Sequence, residues 1–307
     1  MTTIFYMLLT KWNRVLINTS GSGKTRLGLH GLCHHWGFYG VLNEIEDGIG
    51  SRDLWDLMSL DDSPSYSFAK RLGSSNKDAA LHMDEKVTHR VYQFLLGRFL
   101  FLNLLILEAS NCEGGLRSRD HRLLWVLLQA QPFELFKRDP FVEIINALRI
   151  ASVEDLRVQI REEFLKFEPT LQQEFTDHSV TDTTRRPLYC FLDEVQNPTM
   201  ARMGEYRSSD TNEERPLMRP IWRSMTGIFG STDMLVILSG TAMNEVLLTS
   251  VLTSSAFKPP IYHFKRNIGA FDDPETQRHY IECYLLDDHS SARQEFLKRA
   301  WGWCRGR

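Results

Sequence analysis

Arg14 to Ile17 (RVLI) is a short apolar pattern between polar neighbours and predicts a buried strand. From Lys24 the period changes. Leu29, Leu32, Cys33 and Trp36 recur at i, i+3, i+4 and i+7, which predicts a helix ended by Gly37 in the C′ role. Phe38 to Leu42 (FYGVL) then reads as a second strand, so strand, loop, helix and strand follow as in a right-handed parallel unit. A long, mostly helical region comes next. DLWDLMSL predicts a short helix, and Asp61 to Asp78 a polar, turn-rich loop expected to be mobile. Helices are predicted over about 81–109, 117–131 and 140–150. Another starts at Ser152 as N-cap with Asp155 at N3, and Pro169 is expected to stop it.

Strand character returns late, at Pro187 to Glu194, Met234 to Thr241 and Ile261 to Lys265. These runs are apolar on both faces, as a parallel sheet covered by helices requires. Pro274 to Asp288 and Ser291 to Cys304 predict two closing helices, the first opened by its proline.

Composition narrows the class. The 307 residues are 42% apolar and 24% charged, enough for a sizeable core, and a net charge of −3 argues against a polybasic nucleic-acid or membrane surface. Five scattered cysteines without a CxxC pair suit a reduced intracellular protein. Cys33, His34 and His35 are neighbours that face different directions on a helix, so they make no metal cluster. The start, MTTIFYMLLTKW, lacks a basic n-region and predicts no signal peptide. Val91 to Ala109 is the most apolar stretch, but Gln93, Arg98 and Asn103 interrupt it, so it reads as a buried helix. A soluble, intracellular protein without a membrane partner is expected.

The chemistry sits behind the first strand. A phosphate-binding loop presents several backbone N–H groups at one point, with glycines for close approach and a helix N-terminus behind. Gly21, Ser22, Gly23, Lys24 and Thr25 supply the inner part of that pattern in the right setting. Lysine would reach the β- and γ-phosphates, and the threonine hydroxyl would bind Mg²⁺. The outer position departs: Asn18 stands where the full signature has glycine, although asparagine tolerates left-handed backbone angles. Asn18, Ser20 and Arg26 complete the expected nucleotide-binding set, and ATP is the expected ligand because SNKDAA, Ser75 to Ala80, misses the Asn-Lys-x-Asp strand end by which a GTPase selects its base. A Gly-Ser turn alone would not demand Lys-Thr just inside the helix.

A second acidic element is required, and YCFLDEVQ delivers it at a strand end. Asp193 is expected to hold Mg²⁺, and Glu194 to polarise the attacking water as general base. LVILSGT ends in Ser239 and Thr241, either of them placed to bond the water or γ-phosphate, or else to cap the following helix. Arg219, Arg223 and Arg266 are candidate arginine fingers, and Gln196 a candidate for orienting water.

NTSGSGKTRLGLHGLCHHWGFYG followed by FLDEVQ resembles the Crinkler/RHS-type ATPases, P-loop NTPases common in fungi and oomycetes. IGAFDDPETQRHYIECYL and RAWGWCRGR resemble the stretch leading into that group's C-terminal helical lid. The resemblance spans most of the chain. It implies a three-layer α/β sandwich like those of AAA+ and STAND ATPases, with the sensor strand between the Walker B and phosphate-loop strands. It also implies phosphate, Mg²⁺ and water-activating roles for Lys24, Thr25, Asp193 and Glu194, to which the strand-end reading adds Ser239 as a catalytic candidate. One domain is then expected over 1–307: a core at 12–60 and 185–268, a helical insertion at about 61–184, and the start of a lid at 269–307, apparently cut short. Self-association is a further expectation, as AAA- and STAND-like proteins often assemble when ATP-bound.

Two other readings stay open. A small-molecule kinase would use Glu44 or Asp47 as base, and a degenerate, non-hydrolysing nucleotide switch would bind without turnover. The geometry that discriminates is simple: in a hydrolase, Asp193 approaches Thr25 and Glu194 faces the same cleft.

Overall fold

A strand that is apolar on both faces must be covered on both, and helices provide that cover here. The computed structural model describes residues 13–17, 23–43, 48–57, 76–112, 118–173, 187–200, 206–207, 214–229, 233–241, 245–252, 262–265, 275, 278 and 291–304. Its strands are β1 (Asn13–Ile17), β2 (Gly37–Val41), β3 (Leu188–Asp193), β4 (Tyr206–Arg207), β5 (Glu214–Arg215), β6 (Met234–Gly240) and β7 (Tyr262–Lys265). Its α-helices are α1 (Lys24–His34), α2 (Asn76–Asn111), α3 (Ser118–Ala130), α4 (Pro132–Phe136), α5 (Pro140–Ala147), α6 (Val153–Gln173), α7 (Gln196–Met200), α8 (Met218–Ile228), α9 (Glu245–Leu252) and α10 (Ser291–Cys304). The protein is an α/β fold built on a small parallel sheet.

Five strands form that sheet in the order β2-β3-β6-β1-β7, while β4 and β5 pair antiparallel apart from it. Every pairing within the larger sheet is parallel. The carboxyl ends therefore emerge on one edge: Ile17 beside Gly240, and Val41 beside Asp193.

Alternation along the strands sends side chains to two separate cores. Tyr39, Val41, Tyr189, Phe191, Leu235 and Ile237 pack with Leu32 of α1 and Val126 of α3. Phe38, Cys190, Leu192, Val236 and Leu238 face the opposite way, into the larger core with residues of α2, α6 and α8. Edge strand β2 is sealed by α3, whose Trp125 Nε1 and Gln129 Nε2 both donate to the Gly37 carbonyl, at 2.7 and 3.2 Å.

Helix α1 differs from its expected stripe. It ends at His34, and its buried positions are Lys24, Gly28, Gly31 and Leu32, while Leu29 and Cys33 are only half-buried. Glycine rather than leucine faces the sheet because the helix lies very close to it. A Cβ on Gly28 would sit 2.4 Å from the Phe191 ring. Gly37 is not a C′ residue but the first residue of β2, where a Cβ would meet the Tyr189 carbonyl oxygen at 2.4 Å. Trp36, expected on the helix, is buried beyond its end and meets the Phe167 ring edge-on at 5.9 Å.

The helical region is anchored through α2. The stretch Asp84–Asn111 is long and apolar enough to cross a membrane by length and composition, yet Val91 to Phe99 are buried in the protein's own core. At its middle Arg98, fully buried, meets Asp53 of the Arg52–Leu57 3-10 turn at 2.9 Å. The same Arg98 nitrogen donates to the Tyr39 carbonyl at 3.2 Å, and the guanidinium lies 3.6 Å above the Phe141 ring. Burial pushes the Asp53 carboxyl up to about 6 despite that neighbouring cation.

Ser152 does cap α6: the Asp155 N–H donates to its hydroxyl oxygen at 3.1 Å, and the hydroxyl donates back to the Asp155 carboxylate at 2.6 Å. Pro169, however, lies inside α6 and does not end it. Leu165, which loses its partner N–H, and Pro169 itself are both exposed, so water can take the place of the missing bond. Asn76 to Asp78, expected in the loop, begin α2, while 58–75 lie outside the described residues. So does the helix expected over 274–288, apart from 275 and 278.

Two substitutions test these supports. Gly28→Val drives a branched side chain into Phe191 and is expected to lower stability by about 1–3 kcal/mol in urea unfolding. Arg98→Met strands the Asp53 carboxyl and is expected to cost about 3–5 kcal/mol, part of which returns when Asp53→Asn is added.

Candidate functional site

Residues 18–22, which carry Asn18, Ser20, Gly21 and Ser22, lie outside the described residues, and the site is read from Gly23 onward. Gly23 has φ 83° and ψ 18°, in the left-handed region. Among the described residues nothing lies within 4 Å of where its Cβ would be, and the left-handed backbone angle is what favours glycine. No side chain caps α1 there, and no acidic residue occupies its first turn. The positive end of the helix thus has no carboxylate of its own.

Lys24 follows, only 6% exposed. Burial pushes its ammonium down from the usual lysine range, and the nearby charges of Asp193 and Glu194 oppose that effect. Thr25 Oγ1 donates to Asp193 Oδ2 at 2.5 Å, across 168 residues of sequence. Arg26, the next residue, is exposed on α1.

Asp193 ends β3 and is 2% exposed. Its carbonyl accepts from Leu42 N–H at 3.0 Å, and its Oδ1 from Glu194 N–H at 3.0 Å. A further partner was not visible in the sequence. The Tyr39 phenol lies close to the Asp193 carboxylate, and burial first, then the Asp193 and Glu194 charges, push that phenol up. Tyr39 is itself held firmly: its ring stacks on Phe191 at 5.9 Å, and its N–H donates to Gln129 Oε1 at 2.9 Å. The apolar run FYGVL marks a strand, but which of its residues lies near Asp193 depends on β2 pairing with β3.

Glu194 stands just past the strand with φ 60°, a left-handed angle that is costly for a residue with a Cβ. Its Oε2 accepts from Gln196 Nε2, and Gln196 Oε1 accepts from the Thr241 N–H at 3.0 Å. Val195 N–H donates to the Ser239 carbonyl at 3.0 Å, so the turn after β3 is tied twice to the end of β6. Ser239 is fully buried, and its hydroxyl has no hydrogen-bond partner among the described residues.

The structure therefore brings Lys24, Thr25, Asp193 and Glu194 together, with Ser239 and Thr241 on the neighbouring strand end. The other candidates fall elsewhere. Arg223 on α8 lies 3.6 Å from Asp84 of α2, and Arg219 sits in the first turn of the same helix. Arg266, Glu44 and Asp47 lie outside the described residues. Among the described residues no group of three or more His, Cys, Asp or Glu side chains suits a metal ion. Thr25 and Asp193 offer two hard oxygen donors, a set suited to a cation that keeps most of its shell as water and ligand oxygen. No protein-family model matches the chain, and no curated protein matches it.

Removing only the phenol oxygen tests the support under Asp193. Tyr39→Phe, which keeps the ring stacked on Phe191, is expected to lower stability in urea unfolding by at most about 1 kcal/mol, with an unchanged far-ultraviolet dichroism spectrum.

Proposed function

We propose that this protein is a Mg-ATP-binding P-loop NTPase that hydrolyses ATP, with its helical region inserted between the Walker A strand β1 and the Walker B strand β3. One observation carries the reading: Thr25 bonds to Asp193 at 2.5 Å, with buried Lys24 alongside, although the two segments are far apart in sequence. A turn-forming Gly-Ser run has no need of a buried lysine or a distant carboxylate. The strand order supports the same reading, since β6 with Ser239 lies between β3 and β1, where the resemblance to AAA+ and STAND ATPases puts a sensor strand. The edge formed by parallel carboxyl ends is also where α/β sheets bind ligands.

In this proposal Lys24 and the N–H groups at the start of α1 hold the phosphates, and Gly23 lets the backbone approach them. Asn18, Ser20, Gly21, Ser22 and Arg26 are assigned to the same binding stretch. Thr25 and Asp193 would hold Mg²⁺, which when bound neutralises charge on the phosphate oxygens. Glu194 takes the proton of the attacking water, and the Ser239 hydroxyl, lacking a described partner, is placed to bond the water or γ-phosphate. The sequence further suggests a soluble, intracellular protein that self-associates.

The test is Mg-ATP binding and turnover by the wild type beside two variants. Lys24→Ala is expected to abolish binding, and Glu194→Gln to bind normally while turnover falls by about 10²–10⁴-fold. A wild type that binds without turnover points instead to a nucleotide switch, and no binding at all overturns the reading.

A further inference from the structure

We infer that Gln196 is the positioning residue for the general base, fixing the Glu194 carboxylate to the end of β6. The inference rests on the hydrolase reading and adds to it a group that touches neither nucleotide nor water. Gln196 uses both ends of its amide on different strands: Nε2 donates to Glu194 Oε2, while Oε1 accepts from the Thr241 N–H at 3.0 Å. The amide therefore bridges the residue just past β3 to the residue just past β6.

Glu194 needs such a bridge. It stands at φ 60°, outside the ordinary backbone regions, so its side chain leaves the main chain in a direction that neither strand nor helix geometry would give it. The carboxylate also has several rotatable bonds with which to escape a useful pose, and a small misplacement of a reacting group costs rate steeply. Holding Oε2 with a neutral donor leaves Oε1 as the acceptor for a water proton. Because the other end of the amide is anchored on Thr241, the base keeps its register with Ser239, two residues earlier on the same strand end. A shift of β6 relative to β3 would pull Gln196 and move the base with it.

Gln196→Glu separates the two halves of this role. The isosteric side chain keeps an oxygen for the Thr241 N–H but loses the donor to Glu194. Mg-ATP affinity and single-turnover hydrolysis are measured for the wild type, Glu194→Gln, Gln196→Glu, Gln196→Ala and the double variant Glu194→Gln/Gln196→Ala. The expected result is a loss of about 10–100-fold in the hydrolysis rate for both single Gln196 variants, with nucleotide affinity unchanged. In the Glu194→Gln background, Gln196→Ala is expected to cost nothing more, because the residue acts only through Glu194. Full activity in Gln196→Glu, or equal additional losses in both backgrounds, overturns the positioning role and leaves the hydrolase reading intact. A fall in affinity matching the fall in rate overturns it as well, since that is a strand-end collapse. A wild type that binds Mg-ATP without hydrolysing it overturns both.

Discussion

The bond between Thr25 and Asp193 closes 168 residues of chain, and the surrounding structure exists largely to let it form. A hydroxyl can meet a carboxylate at 2.5 Å only if the helix bearing it lies almost on the sheet. Gly28 makes that possible by leaving room for Phe191, two residues before Asp193. Gly23 turns the chain into the helix at an angle other residues resist. From the opposite side of the pair, β2 brings Tyr39 under the carboxylate, with the phenol braced on Phe191. One aromatic ring thus supports the helix, the tyrosine and the end of β3 together.

The helical region bears on this arrangement through Trp125 and Gln129 of α3, which bond to β2, and through a buried cation of α2. Arg98 joins α2 to the turn after β2 by its pairing with Asp53, and to β2 itself at the Tyr39 carbonyl. A charge taken wholly out of water is a poor source of net stability. What it adds here is a fixed set of contacts, since the guanidinium meets Asp53, the Tyr39 carbonyl and the Phe141 ring at once.

Local chemistry was legible in the sequence, and distant pairing was not. Lys24, Thr25, Asp193 and Glu194, which the structure brings together, could be named because glycine loops and acidic strand ends are patterns only a few residues long. The strands were legible for a similar reason: runs apolar on both faces have few other uses. Tyr39 was hidden, since nothing in FYGVL says which strand lies beside it. The double attachment of Gln196 was hidden too, because Thr241 lies on another strand. Errors in the helices had physical causes of the same kind. The stripe assigned to α1 assumed that large residues face a sheet, whereas close approach selects Gly28, and Gly31 is buried on the same helix. Pro169 was read as a stop, but on an exposed face solvent can replace the bond it removes.

The placement of β1 has a consequence for how the molecule comes into being. It is the earliest strand of the sheet to be synthesised, yet both of its neighbours, β6 and β7, come from the far end of the chain. Meanwhile β2 can pair with β3 and bury its aromatic residues against helices already made. The segment that carries Lys24 and Thr25 must therefore wait for its strand partners until the chain has been made beyond Met234. The pairings of β1 with β6 and β7 span most of the sheet's sequence, and contacts of such long sequence separation form slowly. A nascent chain that stops before Met234 contains both halves of the acidic and basic pair but lacks the strand that sets the distance between β1 and β3.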